Sequence, residues 1–170
     1  MFKKIVLFAL LLIPMMGYAQ EQKIAYFKSG EVIPLMPETK QMMDSLKKSG
    51  DAYQAELQSI SDEYTKKMTA LTEQQDTLSQ TIKVLRMREI DRIRESAETL
   101  QQQAQQSQSD LQQTLFAPIL AKITKALEEI GTENHYAYII NHDPNNSVLL
   151  YISPQSPDVT PLVKAKLGLK

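Results

Sequence analysis

Between Asp51 and Ala117 the chain runs for 67 residues without a glycine or a proline. These two residues are the main local breakers of regular structure, so a span this long without either is suited to one continuous kind of element. The stretch is dominated by Gln, Glu, Lys, Arg, Leu, Ala and Met, with few aromatic or β-branched residues, and those are the good helix formers. Helix is the only regular structure that suits it. Gly50, Pro118 and Gly131 read as its edges.

The spacing of apolar residues says what kind of helix. Leu46, Tyr53, Leu57, Ile60, Tyr64, Met68 and Leu71 advance by sevens, fours and threes, and Leu78, Ile82 and Leu85 continue the series. A second series runs Ile90, Ile93, Ala97, Leu100, Ala104, Leu111 and Leu115. This is a heptad seam with a stutter. The second series passes straight through "ETLQQQAQQSQSDLQQTL", residues 98–115, so that glutamine-rich stretch is expected to be ordered helix with a thin apolar stripe. A single helix over the whole span would be about 100 Å long, and two antiparallel arms are the economical alternative. Asp76, Thr77, Ser79 and Thr81 cluster in the middle, which places the tip near 76–80, with Ser79 as cap of the returning helix.

The ends of the chain must anchor such arms. "KIAYF" (23–27), "YAYII" (136–140) and "VLLYI" (148–152) have strand composition, and "NHDPNNS" between the last two predicts a hairpin. "DVTPLVKAKLGLK" predicts a short helix, capped by Thr160 or Asp158, with Pro161 in its first turn and Val159, Leu162, Val163 and Leu167 on its apolar face. The expected fold class is therefore α+β: a small body of three short strands plus a C-terminal helix, carrying a long antiparallel helical hairpin. Body segments are expected at 20–38 and 131–170, and arms at about 39–130. So small a body implies self-association, for which Ile24, Tyr26, Tyr138, Ile140, Leu149 and Tyr151 are the candidate contact residues.

Residues 1–19 read as a cleavable signal peptide: Lys3 and Lys4, a short apolar core interrupted by Pro14, then small residues before Gln20. That predicts export of the mature chain. Without Lys3 and Lys4 the chain has 17 basic against 20 acidic side chains, and nothing in that balance suggests a nucleic-acid partner. The chain has no cysteine and two histidines, His135 and His142, too few for an obvious metal site. Nucleotide-binding and serine-nucleophile motifs are absent, so a non-enzyme without cofactor is expected.

Two groups near the tip could carry function. Lys83, Arg86, Arg88, Arg92 and Arg94 face Glu89, Asp91 and Glu95, a local charge of plus two. This is either a solvated, ion-paired helix face or a basic cuff that touches anionic lipid headgroups or acidic segments of a partner. Met68, Leu71, Leu78, Val84 and Met87 are candidates for an adaptable apolar contact surface. Those on the heptad series can equally be seam packing, whereas Val84 and Met87 lie off it.

In its order of strand, long helical hairpin, two strands and short helix, the chain resembles the Skp/OmpH family of periplasmic chaperones. The matching segments are "KIAYFKSGEVIPLMPE" (23–38), "REIDRIRESAETLQQQAQQ" (88–106), "LFAPILAKITKALEEIG" (115–131), "YAYIINHD" and "VLLYISPQSPDVTPLVKAKLGL". The resemblance implies a homotrimer with a β-barrel-like body and three tentacles around a cavity, an ATP-independent holdase for unfolded outer-membrane proteins. Two features depart from the family: the acidic charge balance, and Pro34, which should shorten the helix expected there. The rival expectation is a structural coiled-coil spacer or adaptor of the cell envelope, whose sequence would look similar.

Overall fold

The computed structural model describes residues 23–143 and 151–169. The expected signal peptide, Leu149 and the turn expected at 141–147 from residue 144 onward lie outside the described residues.

Strand β1 (Lys23–Phe27) leads into a single helical turn, α1 (Ser29–Val32), and a 3-10 turn at Ile33–Leu35. Pro34 sits within that 3-10 turn and limits the helix to four residues, because its ring removes a donor and crowds the preceding turn. Pro37 then opens the first arm, α2 (Pro37–Glu73, 37 residues), where a missing amide hydrogen costs nothing. The Thr39 hydroxyl donates to the Ile33 carbonyl at 2.6 Å and ties the two segments together.

The chain turns over Gln74–Ser79 and returns as α3 (Gln80–Asn134, 55 residues). Ser79 is the N-cap, its hydroxyl accepting from the Ile82 amide at 3.5 Å. At 1.5 Å per residue the arms are about 55 and 80 Å long. None of Gly50, Pro118 and Gly131 marks an edge, contrary to expectation: α2 runs through the first and α3 through the other two. Pro118 costs α3 one hydrogen bond to the Thr114 carbonyl, but its neighbour Ile119 is fully buried and holds the helix in place. His135 ends α3 in the left-handed conformation, φ 56° and ψ 41°.

Strand β2 (Tyr136–Asn141) pairs with β1 in parallel, Ile24 opposite Tyr138 and Tyr26 opposite Ile140. Among the described residues the sheet has these two strands. Of the expected third strand, Tyr151 and Ile152 are described and have no regular secondary structure. The outer edge of β1 is instead met by the segment before the last helix. The Tyr26 amide donates to the Pro157 carbonyl at 3.0 Å, and the Val159 amide to the Tyr26 carbonyl at 2.8 Å.

Helix α4 (Thr160–Lys166) follows, and Gly168, at φ 68°, turns the chain so that the Leu169 amide reaches the Lys164 carbonyl at 2.8 Å. Asp158 accepts from the Thr160 amide at 2.9 Å. Val159 and Val163 are buried, but Leu162, expected beside them, is exposed. It lies about 100° around the helix from Val163, while Leu167 and Leu169 pack on the core in its stead. Ion pairs lash α4 down: Lys164 to Glu31 at 3.0 Å, and Lys166 to Glu129 and Glu133 at 3.0 and 2.6 Å.

The core lies at this base. Ala25, Phe27, Val32 and Met36 meet Ile119, Ile123, Ile130, Val159 and Val163 there. Beyond it the arms touch along one seam, in which Leu46, Tyr53, Leu57, Ile60, Met68 and Leu71 are half-buried, as are Ile93, Ala97, Ala104 and Leu111, with Ile90 and Leu100 buried. Residues 98–115 are helical throughout.

Candidate functional site

Three surfaces stand out, at the tip, in mid-arm and on the sheet. At the tip the expected continuation of the seam holds at Leu78 but fails at Ile82 and Leu85. The turn at Gln74–Ser79 interrupts the helix, so the phase of α3 is set afresh by Ile90. Counting back from Ile90 by four and three gives Arg86 and Lys83, and these two are half-buried in the seam, where their aliphatic stems cover apolar surface. Ile82, Val84, Leu85 and Met87 therefore face outward, Leu85 being 53% and Met87 48% exposed. Met68, Leu71 and Leu78 remain half-buried on the inner side.

Polar contacts fix the arms to each other here. Lys67 reaches Glu89 across the seam at 2.6 Å, and Arg86 donates to Gln74 at 2.7 Å. The Lys67 hydrogen bond holds the Glu89 carboxyl below its ordinary value, and Glu89 in turn raises the Lys67 ammonium. Arg94 pairs loosely with Glu98 at 3.9 Å, and Arg88 and Arg92 are exposed. From Lys66 to Arg88 the tip has five cations, Lys66, Lys67, Lys83, Arg86 and Arg88, against Glu73 and Asp76.

In mid-arm the seam opens into a cleft of about 660 Å³. Gly50 leaves room for the Gln108 side chain, which crosses to the facing arm and donates to the Leu46 carbonyl at 3.2 Å. Tyr53 and Leu57 form part of the floor, and Gln101, Gln105 and Gln112 line it from α3. The apolar periodicity could not show this cleft, because it arises where small residues, Gly50 and Ala104, occupy the seam.

On the sheet, residue alternation sends Ala25 and Phe27 to the core and leaves Ile24 and Tyr26 on the other face. The register puts Tyr138 and Ile140 beside them, so four of the expected self-association residues share one open face. Tyr138 is 61% exposed, and Tyr26 stands edge-on to His142 with ring centroids 5.8 Å apart. Tyr151, described outside any strand, is 77% exposed. Among the described residues no group of three or more His, Cys, Asp or Glu is placed to hold a metal ion. No described helix is long and apolar enough to cross a membrane.

Residues 23–167 match the family model for outer membrane proteins of the OmpH-like type. The chain belongs to the OmpH-like family. That family is one of chaperones in the service of outer membrane proteins. A crystal structure described as an OmpH-like outer membrane chaperone from Caulobacter crescentus has the same fold. Its TM-score is 0.70 at 16% identity, over 89% of this chain and 86% of that one. No curated protein matches the chain in sequence. The matched residues take in β1, both arms, β2 and α4.

Proposed function

We propose that the chain is a periplasmic, ATP-independent holdase that keeps unfolded outer-membrane proteins from aggregating, acting as a homotrimer. The observation that carries this reading is the pair of long arms, anchored only at their base, whose far end turns Ile82, Val84, Leu85 and Met87 outward. Exposed apolar side chains grouped at the end of a slender hairpin serve no packing need of the chain itself and suit a partner surface.

Trimer contact falls to the open sheet face of Ile24, Tyr26, Tyr138 and Ile140, which has a row of aromatic and aliphatic side chains of the kind that interface cores use. Client contact falls to Val84 and Met87, with Met68, Leu71 and Leu78 exposed further when the arms part. The cations Lys83, Arg86, Arg88, Arg92 and Arg94 add attraction for acidic client segments or anionic headgroups, screened beyond about 8 Å at physiological salt. A client held by many weak contacts remains mobile, while its own partners are kept away. No bond is made or broken in this, and no cofactor is called for.

The test dilutes a urea-unfolded outer-membrane β-barrel protein into buffer with the purified mature chain and follows light scattering against subunit ratio. Suppression without nucleotide, saturating at three chains per client, is the expected result. Absence of suppression at every ratio would favour an envelope spacer instead.

A further inference from the structure

The mid-arm cleft differs in its chemistry from those at the tip and beside the sheet. None of its eleven lining residues is charged, in a chain of which 23% is charged. The clefts at the tip and beside the sheet, by contrast, contain Lys67, Arg86 and Glu89, or Lys23 and Glu128. Five of the eleven are glutamines. We infer that this cleft is a binding subsite for uncharged, extended polypeptide segments whose side chains alternate between apolar and polar. This rests on the holdase reading and assigns part of the client contact to mid-arm.

The argument is one of matching groups and spacings. A primary amide offers the same donor and acceptor as a peptide unit. Gln101, Gln105, Gln108 and Gln112 recur at intervals of four, three and four, so they stand along one face of α3. Gln101 and Gln105, four residues apart, hold their amides about 6 Å apart along the helix axis. An extended chain presents same-side groups about 6.8 Å apart, close enough for flexible side chains to follow.

Gln108 is already spent on the Leu46 carbonyl, whereas Gln101, Gln105 and Gln112 are exposed and available to a ligand. Beneath them the half-buried Tyr53 and Leu57 offer an apolar floor for every second side chain of the ligand. A charged residue entering the cleft would lose water without gaining a counter-ion. Alternating, weakly charged segments are the pattern of membrane-spanning β-strands, which ties the subsite to the proposed clients.

The experiment measures binding of a fluorescent ten-residue peptide of alternating Leu and Thr, blocked at both ends, to the full mature chain by anisotropy. A second peptide has Asp in place of each Thr. The variant is the double substitution Gln105→Glu and Gln112→Glu, which keeps helix propensity and exposure but places two carboxylates over the floor. Expected are a preference for the neutral peptide and about tenfold weaker binding of it to the variant, with the thermal midpoint unchanged. A second variant, Gln102→Glu with Gln113→Glu, adds the same charge at exposed positions of α3 outside the cleft lining and should leave neutral-peptide affinity within twofold. Equal affinity of the wild-type chain for both peptides, no binding, or unchanged affinity in the glutamate variant overturns the subsite. Light scattering on the same samples separates the two readings: suppression that persists in the wild type while the peptide results fail leaves the holdase standing.

Discussion

The base and the arms are stabilised in different ways. At the base, strand, helix and C-terminal segment converge, and Val32, Ile119, Val159 and Val163 lose essentially all contact with solvent. Along the arms, from beyond Met42 on α2 to short of Ile119 on α3, the buried apolar side chains among the described residues are Ile90 and Leu100, and the remaining seam residues are half-covered at best. The chain therefore keeps its cooperativity at one end. The arms are held by a single narrow seam and cross-arm polar contacts such as Lys67–Glu89, so local opening there is expected to need far less free energy than global unfolding. A hairpin built this way can part its helices around an object without melting its anchor.

The largest test of this contrast truncates one aliphatic side chain in each region. Ile119→Ala should cost about 2–5 kcal/mol, the range for a buried isoleucine whose site cannot collapse. Ile60→Ala, in the half-covered seam, should cost about 1 kcal/mol. Urea unfolding followed by far-ultraviolet circular dichroism measures both. Equal losses at the two positions would mean that base and arms unfold as one unit, and the contrast would be wrong.

Much of this division was legible beforehand. The absence of breakers and the heptad spacing announced the arms, and the seam residues from Leu46 to Met68, apart from the exposed Tyr64, and from Ile90 to Leu115 were readable because each depends on a local period. What escaped the reading depends on where a period restarts. Ile82 and Leu85 fit the first series arithmetically, yet the turn at Gln74–Ser79 resets the phase and gives their seam places to Lys83 and Arg86. Pro118 looked like a stop, but the burial of Ile119 outweighs one lost hydrogen bond. Parallel pairing of β1 with β2 escaped too, since those strands are brought together across the whole hairpin. The mid-arm cleft was invisible because it is made by what the seam lacks.

A second test concerns how the C-terminal segment is fastened to the base. Burial works against the charge of Asp158, but hydrogen bonds from the Thr160 hydroxyl and amide and from Lys28 outweigh it, so its carboxyl lies below the ordinary value of 3.8. A depressed folded-state value means stability that is present above pH 3.8 and lost as the pH falls below it through the folded value. Asp158→Ala should therefore cost about 1 kcal/mol near neutrality, and the gap between variant and wild type should narrow in acid. Urea midpoints at neutral and acidic pH measure this. A gap that stays constant with pH would show that the carboxylate's charge plays no part in the fastening.

The smallest effect is expected at the tip. The Ser79 hydroxyl accepts from the Ile82 amide at 3.5 Å, a long bond, so Ser79→Ala should lie at the low end of capping losses, about 0.5 kcal/mol. Because the nearest buried seam residue, Ile90, lies three turns further along the arm, that loss should remain local. Hydrogen exchange should quicken at the amides of the first turn of α3, while the global midpoint moves by less than the error of its measurement. If the global midpoint instead fell together with local protection, the tip would be coupled to the base through the seam. The arms would then act as rigid levers, and a client bound near Met87 would be felt at Ile119.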